Sequence, residues 1–457
     1  MPKLAMTQNF VRVVTDEIDN EKYLGYKDGY DDKVTTDITE KFDITIFKGY
    51  HWYTLACRTQ KIYDLYRVFN KSWNLILETE DEIVELPSWY VPEDEITVWA
   101  YEKDGDTLIL KAINNDYRVR LPDRQEVREY WLSVVIPLYN SELFMCRTID
   151  SILSSSLENI ELILLDDWSS DKSYEIAQWY ANNYGCVKAY HWDNHGVSFT
   201  RNHWLDLAKW EFIAFCDNDD IVHPLMYETL YLTCKTQWVD IAICPALIRS
   251  DIDNKELYLT CSAKPENTVI YSFEDMVQYR GTKANIFWVA VWNKIVKTEV
   301  AKLAKFPTDY AWPWILYEDV AYTSSLYSYI DKFAHCKNAF YTWDKRKQKT
   351  VGTASTRHQK EDNEYVWKMF IYWFTYALYN KSGKHLEAHD YTHFKRLIES
   401  YDKFNTPSDL RTYWDMKLTE LITNQKLNEN KLIMADDHLR EVINNLWLEK
   451  YWFYNEY

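Results

Sequence analysis

IELILLDDWSSDKS, residues 160–173, changes character twice. A nearly continuous apolar run of strand length ends abruptly at Asp166 and Asp167, and a Ser-rich turn leads into a helical period that continues to about 183. A strand followed at once by a helix is the repeating unit of a parallel sheet. The same order appears on both sides: LSVVIPLYN (132–140) before a helix near 143–154, CVKAYH (186–191) before a helix near 198–208, and then EFIAFCDNDD (211–220). This βαβαβαβ series predicts a mainly parallel, Rossmann-like α/β sheet that gathers ligands at the carboxyl ends of its strands.

The acidic residues sit at those ends. Asp166 and Asp167 follow one strand and Asp217, Asp219 and Asp220 follow another, so the topology brings both groups to one edge. Carboxylates in such a cluster suit a hard divalent cation, Mg2+ or Mn2+, which completes its shell with phosphate and water, and Asp also accepts from ribose hydroxyls and base N–H groups. Taken singly, an Asp pair after a strand is equally what a solvated turn or a helix cap uses. YEDVAYT (317–323) can likewise be an acidic helix start favoured by the macrodipole.

The chain as a whole divides in three. Residues 1–128 alternate and turn as β structure, with KFDITIFKG (41–49), WNLILETEDEIVELP (73–87) and a hairpin expected around Asp104-Gly105-Asp106. Residues 129–356 carry the α/β series. Residues 357–457 read as a helical region, in which the aromatic stretch 366–379 suits a buried helix better than a membrane-surface one.

Composition narrows the function classes. A formal net charge of −18 argues against a nucleic-acid partner, whose phosphates call for clustered Lys and Arg. The eight cysteines lie without CxxC or Cys/His spacing, so neither a zinc site nor a disulfide framework is expected. The N-terminus lacks a signal-peptide core and no apolar run reaches the ~18 residues of a membrane span, which gives a cytoplasmic expectation.

Six motifs, in order, resemble the family 2 glycosyltransferases of the GT-A fold: SVVIPLYN (133–140), LILLDDWSSDKS (162–173), NHGVSFTRNHWLDLAKWEFIAFCDNDD (194–220), VWNKIVKTE (291–299), LYEDVAY (316–322) and YTWDKRKQKTVGTAST (341–356). The resemblance covers roughly residues 131–356. It implies an inverting, metal-dependent transfer of a sugar from a nucleotide diphosphate, most commonly UDP, to a hydroxyl of a cell-surface glycan, glycolipid or glycoprotein precursor, at the inner face of the membrane or free in the cytoplasm. By it, Pro137, Tyr139 and Asn140 line the nucleotide pocket, Asp166 and Asp167 lie at the base or ribose, and Arg201 contacts the donor. Asp219 and Asp220 meet the metal and ribose, with Asp217 at the sugar. Asp319 stands where the family has its catalytic base, Glu318 orients it, and Arg346 and Lys349 belong to a loop that closes over the diphosphate.

Two other classes fit parts of the pattern. A sugar-nucleotide nucleotidyltransferase would open with a Gly- and Arg-rich phosphate loop, where this chain has PLYNSELF (137–144). A noncatalytic carbohydrate-binding protein would need no base.

One departure from the family is systematic. Trp168, Trp204, Trp210, Trp238 and Trp314 stand where relatives usually carry glycine. Ordinary usage of ~7% predicts about 32 glycines; the chain has 9, and its 21 tryptophans bring the two together to 30. The expectation is that many of these positions are glycine in the natural protein, written as tryptophan because UGA codons were read under the wrong code.

Overall fold

The computed structural model describes residues 33–344, apart from short turns and the stretches 88–95, 121–128, 250–257, 260–266, 276–289 and 309–317, together with residues 395, 398, 419, 422 and 431–453. The aromatic stretch 366–379, Trp314, Arg346 and Lys349 lie outside the described residues.

The N-terminal part is a seven-stranded sheet of β1 (Lys33–Lys48), β2 (Tyr53–Arg58), β3 (Leu65–Asn70), β4 (Leu75–Thr79), β5 (Ile83–Glu85), β6 (Ile96–Asp104) and β7 (Thr107–Arg120), in the order β4-β3-β6-β7-β1-β2-β5. Its strands alternate: Phe42, Ile44 and Ile46 enter one cluster with Leu55, Val68 and Val98. Phe47 and Ala56, one residue out of phase, face the other side with Ile83. The β6–β7 hairpin pairs Asp104 with Thr107, and Gly105 takes the positive φ of 57° that so tight a turn needs.

The second sheet holds the α/β series. β8 (Leu132–Leu138), β9 (Ile160–Asp166), β10 (Val187–His191) and β11 (Phe212–Phe215) are linked by α1 (Met145–Leu153), α2 (Ser173–Asn183) and α3 (Val197–Leu207). These four strands are parallel, in the order β10-β9-β8-β11. Beyond β11 the mainly parallel sheet becomes mixed: β17 (Lys294–Lys297) runs antiparallel to β11 and β13 (Ile241–Ile243), followed by β18 (Lys332–His335), parallel to β13, and β16 (Val269–Ser272), antiparallel to β18. Those strands are three or four residues long, too short to carry a readable period. A small sheet orders β12 (Ile221–Val222), β19 (Tyr341–Asp344), β14 (Ala246–Arg249) and β15 (Tyr258–Leu259) beside it. Helices α4 (Met226–Gln237), α5 (Thr298–Ala301), α6 (Glu318–Tyr327), α7 (Lys431–Ala435) and α8 (Asp437–Phe453) complete the described elements.

The two sheets share one core. Phe47, Ala56 and Ile83 pack in the same cluster as Leu132, Ile149 and Tyr180. At this contact Asp150 of α1, 2% exposed, accepts hydrogen bonds from the Tyr180 hydroxyl at 2.6 Å and the Thr54 hydroxyl at 2.8 Å. Burial pushes its carboxyl up to about 7, against the pull of those two hydroxyls. Among the described residues, no helix is long and apolar enough to cross a membrane.

Candidate active site

The strand ends converge as the topology requires. After β8, Asn140 takes a φ of 49°, a conformation that Asn tolerates, and locks onto the loop after β9. Its Oδ1 accepts the Ser170 N–H at 2.9 Å and its own N–H donates to Ser169 Oγ at 2.9 Å. Tyr139 beside it is 45% exposed, and the Pro137 carbonyl accepts Asn218 Nδ2 at 2.9 Å, joining β8 to the acidic turn.

Asp166 and Asp167 divide the work of this edge. Asp166 is fully buried; its Oδ2 lies 2.6 Å from His191 Nδ1, while Oδ1 has no partner among the described residues. The His191 ring is flanked by Trp168, stacked at 5.1 Å, and Tyr174 at 4.7 Å. Asp167 accepts the backbone N–H groups of His195 and Gly196, each at 3.0 Å, and so fixes the entry to α3, where Gly196 has a φ of 83°. Burial raises its pKa while those N–H donors lower it. Asp167, expected at the base or ribose, thus has both oxygens turned to the loop before α3.

The acidic turn after β11 has an outer and an inner part. Asp217 and Asp219 are half-buried, whereas Asp220 is 1% exposed. Asp220 Oδ2 accepts the Tyr341 hydroxyl at 2.8 Å and Oδ1 accepts the Asp344 N–H at 3.1 Å, while its carbonyl accepts the Thr148 hydroxyl at 2.7 Å. Tyr341, stacked on Trp292 at 4.3 Å, also receives the Asp217 N–H at 3.2 Å. These bonds turn the Asp220 carboxylate, expected at the metal and ribose, inward and tie the turn to β19.

Arg201, expected to contact the donor, also turns inward. It is 4% exposed and reaches inward, donating through Nη1 to Glu318 Oε1 at 2.7 Å and through Nη2 to Asp217 Oδ1 at 3.1 Å, over the ring of Phe306 at 5.4 Å. A helix stripe explains the burial: Thr200, Arg201, Trp204 and Leu205 form the inner face of α3. Burial lowers the Arg201 pKa, but the carboxylates of Glu318, Asp217 and Asp319 outweigh it and hold the charge. Arg201 is therefore the tie between the acidic turn and the start of α6, which sets Glu318 and Asp319 in its first turn.

Among the described residues no group of three or more His, Cys, Asp or Glu is arranged to hold a metal alone. The donor set still fits a cation of the Mg2+ type, which binds through one or two carboxylates and takes phosphate and water for the rest; Asp219 and Asp217 are the half-buried carboxylates of the turn. Tyr341, Asp344, Asn218 and His191 were not singled out from the sequence, although YTWD (341–344) opens one of its motifs. The arrangement is an acidic strand edge with a further carboxylate at a helix start, suited to holding a polar ligand while a base acts on a second molecule.

Comparisons with known proteins bear on the fold and the family of this domain. The model of the Glycosyl transferase family 2 matches residues 133–291. The chain is 40% identical over 115 residues to an uncharacterized glycosyltransferase, YibD, of Escherichia coli, a match covering 25% of this chain and 33% of that one. It is 25% identical over 247 residues to the cholesterol galactosyltransferase of Borreliella burgdorferi, covering 51% and 66%. The chain thus spans a third to about two thirds of these relatives' lengths. Residues 1–349 of S. aureus TarS, in complex with UDP-GlcNAc, share the fold with a TM-score of 0.50 at 18% identity, over 72% of this chain and 93% of that one. Residues 133–291 thus match the model of the family 2 glycosyltransferases, and the strand order that carries them is that of a GT-A fold.

Proposed function

We propose that the chain is an inverting glycosyltransferase that moves a sugar from a nucleoside-diphosphate donor, UDP-linked, to a hydroxyl of a glycan, glycolipid or glycoprotein acceptor. The observation that carries this is the Arg201 bridge, which holds Asp217 of the acidic turn and Glu318 of the α6 start across one cleft. The UDP-GlcNAc held by a protein of the same fold supports the choice of donor.

Each part of the cleft has a task. Asp219, aided by Asp217, holds Mg2+ or Mn2+; the ion, when bound, offsets the charge that develops on the departing diphosphate. Tyr139 and the Asn140 turn border the nucleotide. Asp319 takes the proton from the acceptor hydroxyl as its oxygen attacks the anomeric carbon from the face opposite the leaving group, which inverts that centre. Glu318, paired with Arg201, fixes the helix start that presents Asp319. Arg201 keeps the two acidic groups at a constant separation.

A panel of nucleotide sugars tests the reading by donor hydrolysis with Mn2+ and with EDTA. UDP-sugars are expected to be turned over, with the metal dependence lost in Asp219→Asn. Turnover that ignores EDTA would remove the metal, and binding of glycans without any donor hydrolysis would favour a noncatalytic carbohydrate-binding protein.

A further inference from the structure

Gly105, Gly196, Asn140, Trp168 and Trp238 are the described residues with a positive φ. Glycine tolerates that region and Asn visits it, but a bulky side chain there is an outlier. Asn140 has a reason to be there, because its side chain bonds the neighbouring loop. Neither indole bonds the neighbouring backbone in that way: Trp168 stacks its exposed ring on His191 at 5.1 Å, a contact that asks for no positive φ. Trp238, at φ 53° and ψ 51°, is the cap at the end of α4, the position at which helices most commonly stop on glycine, and its side chain is 84% exposed. Trp168, at φ 65°, lies in the turn after Asp167 and is 56% exposed.

Other tryptophans behave differently. Trp292 is 6% exposed and stacked on Tyr341, and Trp210 donates Nε1 to Glu161 at 2.7 Å and packs on Tyr130 at 5.3 Å. Trp204 falls between: it is 6% exposed against the sheet, but its Nε1 has no partner among the described residues. The geometry thus separates tryptophans that fill space from tryptophans that occupy glycine conformations.

We propose that the natural polypeptide carries glycine at positions 168 and 238, through decoding of UGA as glycine, while Trp292 is a true tryptophan encoded by UGG. One decoding rule accounts for both classes and for a chain with 9 glycines and 21 tryptophans. The inference concerns the backbone and stands whatever reaction the cleft performs.

Protein isolated from its own cells and cleaved after Lys and Arg yields fragments 148–172 and 236–249, whose masses distinguish glycine from tryptophan. Glycine at both positions, with tryptophan retained at 292, is the expected result; tryptophan at 168 or at 238 overturns the proposal for that position. The physical premise has its own test in chain made from a gene with UGG at every Trp codon. W168G/W238G is expected to raise the thermal midpoint by roughly 2–4 °C, and W292G to lower it. A midpoint that falls in W168G/W238G would show that the indoles are native to those turns and overturn the argument from backbone strain.

Discussion

Arg201 and Asp150 are both buried charges in one domain, and they are housed in opposite ways. Arg201 meets two carboxylates, Glu318 at 2.7 Å and Asp217 at 3.1 Å, whereas Asp150 meets hydroxyls, those of Tyr180 at 2.6 Å and Thr54 at 2.8 Å. A guanidinium so countered stays charged at any pH the fold survives. Hydroxyl dipoles and the more distant Lys48 charge do not offset the loss of water, so burial pushes Asp150 up to about 7. Full countercharge is thus used at the strand edge, where the proposed chemistry needs fixed fields, and dipoles are used between the sheets, where a neutral acid serves as well.

Removing the better-compensated charge should cost most. Arg201→Met leaves Asp217 and Glu318 facing each other across its place, and is expected to lower stability by about 3–5 kcal/mol in urea denaturation and to abolish transfer. A mild loss would mean that the bridge is closer to solvent than its burial implies.

Asp319, next to that bridge, separates binding from chemistry. Asp319→Asn keeps size and hydrogen bonding but removes the basic site, so sugar transfer should fall at least ~10²-fold while UDP affinity measured by calorimetry stays near normal. Transfer at an undiminished rate would pass the role of base to Glu318, and loss of UDP binding would move Asp319 to the donor side.

The hydroxyl-lined acid gives a pH signature instead. With a folded pKa of about 7 against an ordinary value near ~3.9, Asp150 keeps its proton in the fold after the unfolded chain has released one. Its contribution is therefore most favourable at low pH and declines as pH rises toward 7, by on the order of 4 kcal/mol. Denaturation midpoints at pH 5 and 8 should differ in the parent and converge in Asp150→Asn; an unchanged difference would clear Asp150 of the effect.

The smallest expected effect lies under the acidic turn. Tyr341→Phe removes the hydroxyl that donates to Asp220 and receives the Asp217 N–H, and should cost about 1–3 kcal/mol. Its stability is read by thermal melting, and a neutral result would mean that water replaces the hydroxyl.

What could be read in the sequence follows from distance along the chain. The run from Leu132 to Phe215 announced its strands and helices because each element is long and periodic, and Asp166 and Asp167 stood out by breaking an apolar run. The burial of Arg201 was legible too, since it shares a stripe with Leu205 at i+4, but a cation in a motif invites a ligand reading. Tyr341 and Asp220 are 121 residues apart, and no local pattern joins them. Asp150 lies within MCRTIDSIL, where nothing signals that its neighbour is Thr54 of another sheet.

That last contact changes what residues 33–120 are. The seam between the β-rich part and the α/β part, near residue 128, is a change of pattern along the chain but not a mechanical joint. The Tyr184 hydroxyl donates to the Lys48 carbonyl at 2.5 Å, Arg58 reaches the Ser155 carbonyl at 3.4 Å, and Arg147 pairs with Asp81 at 2.8 Å. A gene fragment starting at residue 129 would leave the outer face of α1 bare, with an unsheltered acid and an apolar patch where Phe47 and Ile83 had been. Recombination between related chains is constrained in the same way: a foreign N-terminal sheet grafts onto this α/β domain only if it brings a hydroxyl for Asp150 and a carboxylate for Arg147.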